Sequence, residues 1–172
     1  MTAEELKAIL DLKPLPREGG YFKETFRGCE VLSRANLPAR YDSDKSTLTS
    51  IFYMLDESTF SAFHRLKSDE IYHFYLGDPV HLVLIKADGQ LEQITLGQNI
   101  LAGQHLQFVV PRGVWQASIL APGGNLALMG CTVAPGFDFD DYEHGEKHSL
   151  CDMYPAHRSV IEKLTRTESD VH

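Results

Sequence analysis

The chain has no run of about eighteen apolar residues, so no segment reads as a membrane-spanning helix. Cysteine is scarce: Cys29, Cys131 and Cys151 are three in number, and none stands in a C-x-x-C pair. That count and spacing exclude a zinc knuckle and a disulfide framework, and read as reduced, buried, inert thiols. Positive charge is short as well, with 16 Lys and Arg against 24 acids and a net charge of −8. The densest basic spacing, Arg27, Arg34, Arg40 and Lys45, is too scattered for the stripe that a polyanion requires, so no nucleic-acid partner is expected. The N-terminal MTAEELKAILDL carries early acids and lacks the apolar core and small-residue cleavage site of a signal peptide. With no leader and no membrane span, a cytoplasmic location is the expectation. Internal repeats and low-complexity tracts are also missing.

What remains is the composition of an ordinary globular protein, 43% hydrophobic and 23% charged over 172 residues, a length at which one domain (1–172) is the expectation. Thr2 and Glu5 have capping-box spacing ahead of Leu6, Ile9 and Leu10, which predicts a short helix near 3–11 ended by Pro14 and Pro16. Pro155 suits a first helical position before Val160, Ile161 and Leu164, which predicts a second near 156–165, ahead of a polar tail, Thr167 to His172. Between them, eight segments rich in β-branched and aromatic residues read as strands: 47–54, 59–64, 70–76, 80–86, 91–96, 105–110, 114–120 and 126–133. Turn signals such as Gly77-Asp78-Pro79, Asp88-Gly89 and Pro122-Gly123-Gly124 separate them and leave no room for crossover helices. The sheets are therefore expected to be antiparallel, and an all-β double-sheet jelly-roll barrel closes such a set with few bare edges. Residues 29–45 read as a long loop.

His64 ends one of these strands and Glu70 begins the next, which brings imidazole and carboxylate together across a hairpin. If both point inward, alternation sends Tyr72, Phe74 and Leu76 inward as well and turns His73 to the other side, toward sheet packing or a dimer interface. The tight turn Pro111-Arg112-Gly113 leads into a strand that presents Gln116 and Ser118 on the inner face and Trp115 on the other. Glu24 and Arg27, three apart, fall on opposite faces if their segment is a strand, so only one reaches the interior, and Glu24 is the choice. Phe137-Asp138-Phe139-Asp140-Asp141 reads as a cap over the barrel mouth or a dimer contact, since it lacks the glycine and distal glutamate of a calcium loop.

Glu70 followed by six residues and Gly77 resembles the end of the first cupin motif, and Pro111-Arg112-Gly113 resembles the core of the second. Four further blocks are similar to one uncharacterised cupin family, cupin_5: Glu18-Gly19-Gly20-Tyr21 through Arg27, Phe63 through Glu70, His73 through Pro79, and Val133-Ala134-Pro135-Gly136 through Phe139. The likeness runs from Leu12 to about Leu164. It implies a sugar-epimerase-like, cupin-type double-stranded β-helix that pairs into a homodimer, and it implies no particular reaction. Metal-binding cupins supply two histidines and a glutamate from the first motif and a third histidine from the second. Here only His64 and Glu70 match, while Leu66 and Gln116 occupy the other histidine positions. His64, Glu70 and Gln116 would hold a divalent metal only weakly, since a neutral amide is a poor donor.

Two functions follow as expectations. The first is binding of a small polar or planar metabolite (a sugar, nucleotide or nucleobase derivative) by Glu24, His64, Glu70, Tyr72, Phe74, Gln116 and Ser118, with no cofactor implied. The second is an enzyme, either a metal-independent isomerase or epimerase with His64, Glu70 and Tyr72 as the catalytic set, or a weakly metallated dioxygenase.

Overall fold

A computed structural model describes residues 1–166, so the polar tail read at Thr167 to His172 lies outside the described residues. Helix α1 (Ala3–Leu10) starts on the expected capping box: Glu5 N–H donates to Thr2 Oγ1 at 3.2 Å and Thr2 N–H donates to Glu5 Oε2 at 2.7 Å. The strands that follow are β1 (Lys13–Pro14), β2 (Tyr21–Arg27), β3 (Val31–Leu32), β4 (Lys45–Ser46), β5 (Thr49–Asp56), β6 (Phe60–Leu66) and β7 (Asp69–Gly77). After them come β8 (Val80–Ile85), β9 (Leu91–Leu96), β10 (Gln107–Val110), β11 (Trp115–Leu120), β12 (Leu126–Ala134) and β13 (Tyr142–His144), and then helices α2 (Lys147–Met153) and α3 (Arg158–Lys163).

The eight expected strands form as β5 to β12, each end within two residues of its expected position. Helix α2 was not foreseen. The C-terminal helix begins as a 3-10 turn at Pro155–His157 before α3, because proline at the first position suits the tighter turn. The expected loop 29–45 contains the small β3–β4 ribbon and a 3-10 turn, Arg34–Asn36. Among the described residues no helix is long and apolar enough to cross a membrane.

A six-stranded sheet in the order β1-β2-β5-β12-β7-β10 faces a five-stranded sheet in the order β13-β6-β11-β8-β9, with every strand pairing antiparallel. This is the jelly roll expected from the strand spacing. Tyr53, Leu55, Tyr72, Phe74, Leu82, Leu84 and Met129 fill the space between the sheets. The back of the five-stranded sheet is covered by α2 and α3, with Phe63, Trp115, Leu150, Cys151 and Ile161 in contact. Leu6 and Leu12 cover one end of the six-stranded sheet against Met54 and Leu128.

Three β-bulges interrupt the two-residue alternation, and each moves a side chain that strict alternation places elsewhere. In β2 the register passes from Glu24 opposite Ile51 to Phe26 opposite Ser50, so Thr25 is the extra residue and Glu24 and Arg27 come to one face. In β6 the pairing moves from His64 opposite Gln116 to Ser61 opposite Ser118, so Ser61 and His64 both face inward. In β7 the extra residue is Tyr75, which sends Leu76 out to the α1 side rather than inward with Tyr72 and Phe74.

Candidate functional site

Between the two sheets lies a cavity of about 300 Å³. Its wall takes Phe22, Glu24 and Arg27 from β2, Thr49, Ile51 and Tyr53 from β5, His64 and Leu66 from β6, Glu70 from β7, and Cys131 and Val133 from β12. Leu15 and Glu18 of the β1–β2 loop and Phe137, Asp138 and Phe139 complete it, so the Phe137 segment does lie against the barrel interior as its alternating aromatics suggest.

Glu18 reaches the interior because the loop presses onto its neighbours. Gly19 and Gly20 have φ of +100° and +72°, and a Cβ on Gly19 would collide with the Phe60 carbonyl, so only glycine permits the approach. The Glu18 carbonyl accepts from Ala62 N–H at 2.8 Å, and its side chain accepts from Ser61 Oγ at 2.8 Å through Oε1. Oε2 lies 3.8 Å from His64 Nε2. Tyr53, fully buried, donates its hydroxyl to the Gly19 carbonyl at 2.9 Å.

His64 is 1% exposed. Its Nδ1 lies 2.8 Å from the Ala62 carbonyl, which only accepts, so Nδ1 carries the proton and Nε2 faces the cavity as an acceptor. Tyr142 stacks on the ring at 5.2 Å between centroids. Burial holds the imidazole below its usual range against the opposing pull of Glu70 and of the Ala62 carbonyl, which keeps it neutral. Glu70 Oε2 accepts from Gln116 Nε2 at 2.7 Å, and burial raises its carboxyl, with the neighbouring imidazole pulling the other way. Burial pushes Glu18 up to about 7, against the lowering contacts from Ser61 and Tyr53. The Cys131 thiol beside Glu70 is pushed far up by burial and by that carboxylate, so it stays protonated and unreactive. Cys29 is exposed, contrary to the buried thiol expected, and all three cysteines are free.

Glu24, His64 and Glu70 thus stand in the wall where ligand contact was expected. Tyr72, Phe74, Gln116 and Ser118 do not. Tyr72 and Phe74 are packed among Leu82, Leu84 and Met129, because the sheets close tightly at that level, and Tyr72 has no path to a ligand as proton donor. Gln116 is 1% exposed and acts through Glu70, whose carboxylate it orients. Ser118 is fully buried one pairing step beyond, opposite Ser61. Arg27 lines the wall together with Glu24 rather than opposite it, held by it at 2.8 and 3.0 Å, since the Thr25 bulge rotates the strand. Glu18, Tyr53 and Ser61 were missed. The Glu-Gly-Gly signal at Glu18 was visible, since two glycines after an acid mark backbone squeezed against another chain segment.

The donor set does not fit a transition-metal centre. Leu66 supplies a hydrocarbon where a histidine would serve, and the Gln116 amide nitrogen is committed to Glu70. Among the described residues no group of three or more His, Cys, Asp and Glu is arranged to hold a metal ion. A second concavity of about 510 Å³ lies over Arg40, Arg65, Lys67, Arg112 and Asp140 to Glu143. It is a charged surface groove whose ions largely neutralise one another, as Arg65 does with Glu143 at 2.7 Å and Lys67 with Asp42 at 2.6 Å.

Several known proteins share this arrangement of strands. Protein SO0799 from Shewanella oneidensis superposes with a TM-score of 0.87 at 32% identity, over 98% of this chain and 99% of its own. A hypothetical protein from Leishmania major gives 0.87 at 28% identity, over 97% and 100%. The uncharacterised protein YML079W of Saccharomyces cerevisiae is 35% identical over 136 residues, 73% of this chain and 67% of its own length. Oxalate decarboxylase from Bacillus subtilis, at 16% identity and a TM-score of 0.54 over 92% of this chain and 38% of its own, shares the fold alone. The family model for Cupin_5, described as cupin superfamily (DUF985), matches residues 4–145, which takes in the Glu18 loop, both sheets and the Phe137 segment. A jelly roll with its inner wall built from those matched blocks, and relatives alike over nearly their full length, place the chain in the Cupin_5 family of the cupin superfamily.

Proposed function

We propose that the chain binds a small polar metabolite with a planar ring, of nucleobase or monosaccharide size, in the cavity between its sheets. One observation carries this reading: His64 Nε2 and the Glu18 and Glu70 carboxyls line the deep end of a cavity whose other walls are Leu15, Phe22, Ile51, Val133 and Phe137. Buried polar atoms are ordinarily satisfied, and a polar cluster at the end of an apolar cavity is how ligand sites fix orientation. The volume is at the small end of the range for ligand pockets, about 300–1,000 Å³. Thermal-shift measurement with a panel of sugars, nucleosides and nucleobases is expected to give stabilisation of several degrees for one chemical group, lost in His64→Ala and Glu70→Ala. A silent panel, with both variants behaving as the parent does, would sink the reading.

A second reading, proton transfer on the bound molecule, is favoured by Glu18, whose carboxyl titrates at about 7 beside an imidazole acceptor. It places Glu18 and His64, rather than Tyr72, at the reacting atoms. Running the same panel in deuterated water tests it, because a catalyst of isomerisation exchanges a carbon-bound proton and a binder does not.

Pairing with a second copy through the outer face of the six-stranded sheet belongs to the same proposal. Phe26, Ser50, Thr132, Ile71 and Val109 form one row across five paired strands, and Phe26, Val109 and the nearby Tyr75 are about half exposed. Exposed aromatic and aliphatic groups set among satisfied polar ones, such as His73 between Thr132 and Gln107, suit an interface. Light scattering is expected to give the dimer mass, falling to the monomer in Tyr75→Glu/Val109→Glu, and a parent mass of one chain would end the idea.

A further inference from the structure

The hydrogen-bonding capacity of the cavity wall is one-sided. Donors in and just behind the wall are largely committed: Ser61 Oγ to Glu18 at 2.8 Å, Gln116 Nε2 to Glu70 at 2.7 Å, and the Tyr53 hydroxyl to the Gly19 carbonyl at 2.9 Å, while the Thr49 hydroxyl, nearer the Phe137 segment, accepts from Phe137 N–H and keeps its own proton. The acceptors are not. His64, 1% exposed, turns an unprotonated Nε2 to the cavity. Glu70, 7% exposed, uses Oε2 for Gln116 and has only the weakly donating Cys131 thiol beside it otherwise. Glu18 accepts one hydroxyl through Oε1, while Oε2 faces the imidazole at 3.8 Å.

The charge balance points the same way. The wall holds Glu18, Glu24, Glu70 and Asp138 against a single arginine, Arg27, and no lysine. Arg27 is taken by Glu24 through two contacts, and its remaining reach goes to the Phe137 carbonyl at 3.3 Å. Among the described residues neither Glu18 nor Glu70 has a lysine or arginine partner, although buried carboxylates ordinarily require one.

We infer that the cavity takes an organic cation, a protonated amine or amidinium carried on a small ring, with its N–H groups at the Glu18, His64 and Glu70 end and its ring against Phe22, Ile51 and Phe137. This rests on the reading of the cavity as a ligand site and names the chemical class it admits. Above about pH 7, where Glu18 is ionised, a ligand carboxylate or phosphate would bring a second negative charge against it at the His64 end, where no lysine or arginine stands among the described residues. The preference therefore runs against phosphorylated sugars and nucleotides and toward amines, amidines and basic heterocycles. Burial raises the Glu18 carboxyl to about 7, so below that pH a bound cation replaces its proton and binding releases it to the solvent.

Benzamidine, benzylamine, benzyl alcohol and benzoate share one ring and differ in charge. Titration calorimetry of the intact chain at pH 8 is expected to show both cations binding at least roughly tenfold more tightly than benzyl alcohol, with no detectable benzoate binding. At pH 6, buffers of different ionisation enthalpy are expected to reveal proton release with benzamidine and none with benzyl alcohol. Glu18→Gln and Glu70→Gln are each expected to weaken benzamidine by at least about tenfold and benzyl alcohol by under about threefold, with circular dichroism confirming the fold. If benzoate or benzyl alcohol bound as tightly as benzamidine, and Ile51→Trp abolished it, the cation assignment would be overturned while the ligand site stood. Silence from all four probes, together with a silent metabolite panel, would overturn both.

Discussion

Glu18→Gln is expected to raise the stability of the free protein by about 3 kcal/mol at pH 8 and by under about 0.5 kcal/mol at pH 4.5. Burial carries the Glu18 carboxyl from its ordinary 4.5 to about 7 in the folded chain. At about 1.4 kcal/mol for each tenfold change in proton affinity, that displacement is on the order of 3 kcal/mol. Its sign follows from which state holds the proton. Below pH 4.5 both folded and unfolded chains are protonated and the folded state has its full advantage. As pH rises from 4.5 to 7 the unfolded chain ionises first and the advantage drains away, and above 7 the folded chain carries a buried, unpartnered anion.

Glutamine has no such proton to lose, and its carbonyl can still accept from Ser61, so the variant escapes the loss. For a chain of this size the gain at pH 8 corresponds to a rise in Tm of roughly 6–12 °C. Glu70 is raised in the same direction by the same cause and adds to the loss, while His64 and His144, held below 6.5 by burial, act in the opposite sense up to that pH, so the parent protein is expected to lose stability most clearly between pH 6.5 and 8. Chemical denaturation of parent and variant between about pH 4.5 and pH 8 checks both statements, and a difference independent of pH would sink them.

Lys45→Met is expected to be as damaging as Glu18→Gln is stabilising. Lys45 is 2% exposed, and its Nζ sits 2.7 Å from Asp141 Oδ2, which is itself buried. The approach is not aligned as a hydrogen bond, so the contact is chiefly Coulombic. Without Lys45, Asp141 keeps only Lys67 at 3.8 Å, a side chain partly in water. Removing one partner of a buried pair costs about 3–5 kcal/mol, whereas replacing both by apolar groups is often neutral. Urea denaturation is therefore expected to show a loss of that size for Lys45→Met and for Asp141→Leu, with most of it recovered in the double variant. A double variant no better than either single one would show that the pair is not what holds this region.

The strands were readable because each has a dense run of β-branched and aromatic residues with a Gly, Pro or Asp turn on either side, as in Val80–Ile85 and Leu91–Leu96. His64, Glu70 and Glu24 were readable as inward polar groups on such strands. Arg27 and Ser61 were not, because an extra residue in β2 and another in β6 change the phase of the pleat, and a bulge leaves no composition signal at Thr25 or Ala62. Tyr72, Phe74 and Ser118 were read as ligand contacts on inward orientation alone. How far the sheets close at each level depends on the sum of many side-chain volumes, which no single residue announces. Glu18 lies on a loop, where neither period applies, and only the Gly19 and Gly20 squeeze marks it.

The bulge at Thr25 makes the cavity wall depend on the phase of the β2 pleat as well as on which residues the strand contains. Closing the bulge with Thr25 retained would restore an even pleat and turn Phe26 toward the cavity and Arg27 toward solvent, whereas a strand lacking Thr25 would keep Phe26 opposite Ser50 and Arg27 opposite Thr49. Deletions are commonly regarded as events of loops, where they change length and little else. In this barrel the codon for Thr25 could be lost from inside a strand and the guanidinium would still stand at the rim, because the bulge absorbs the change in length.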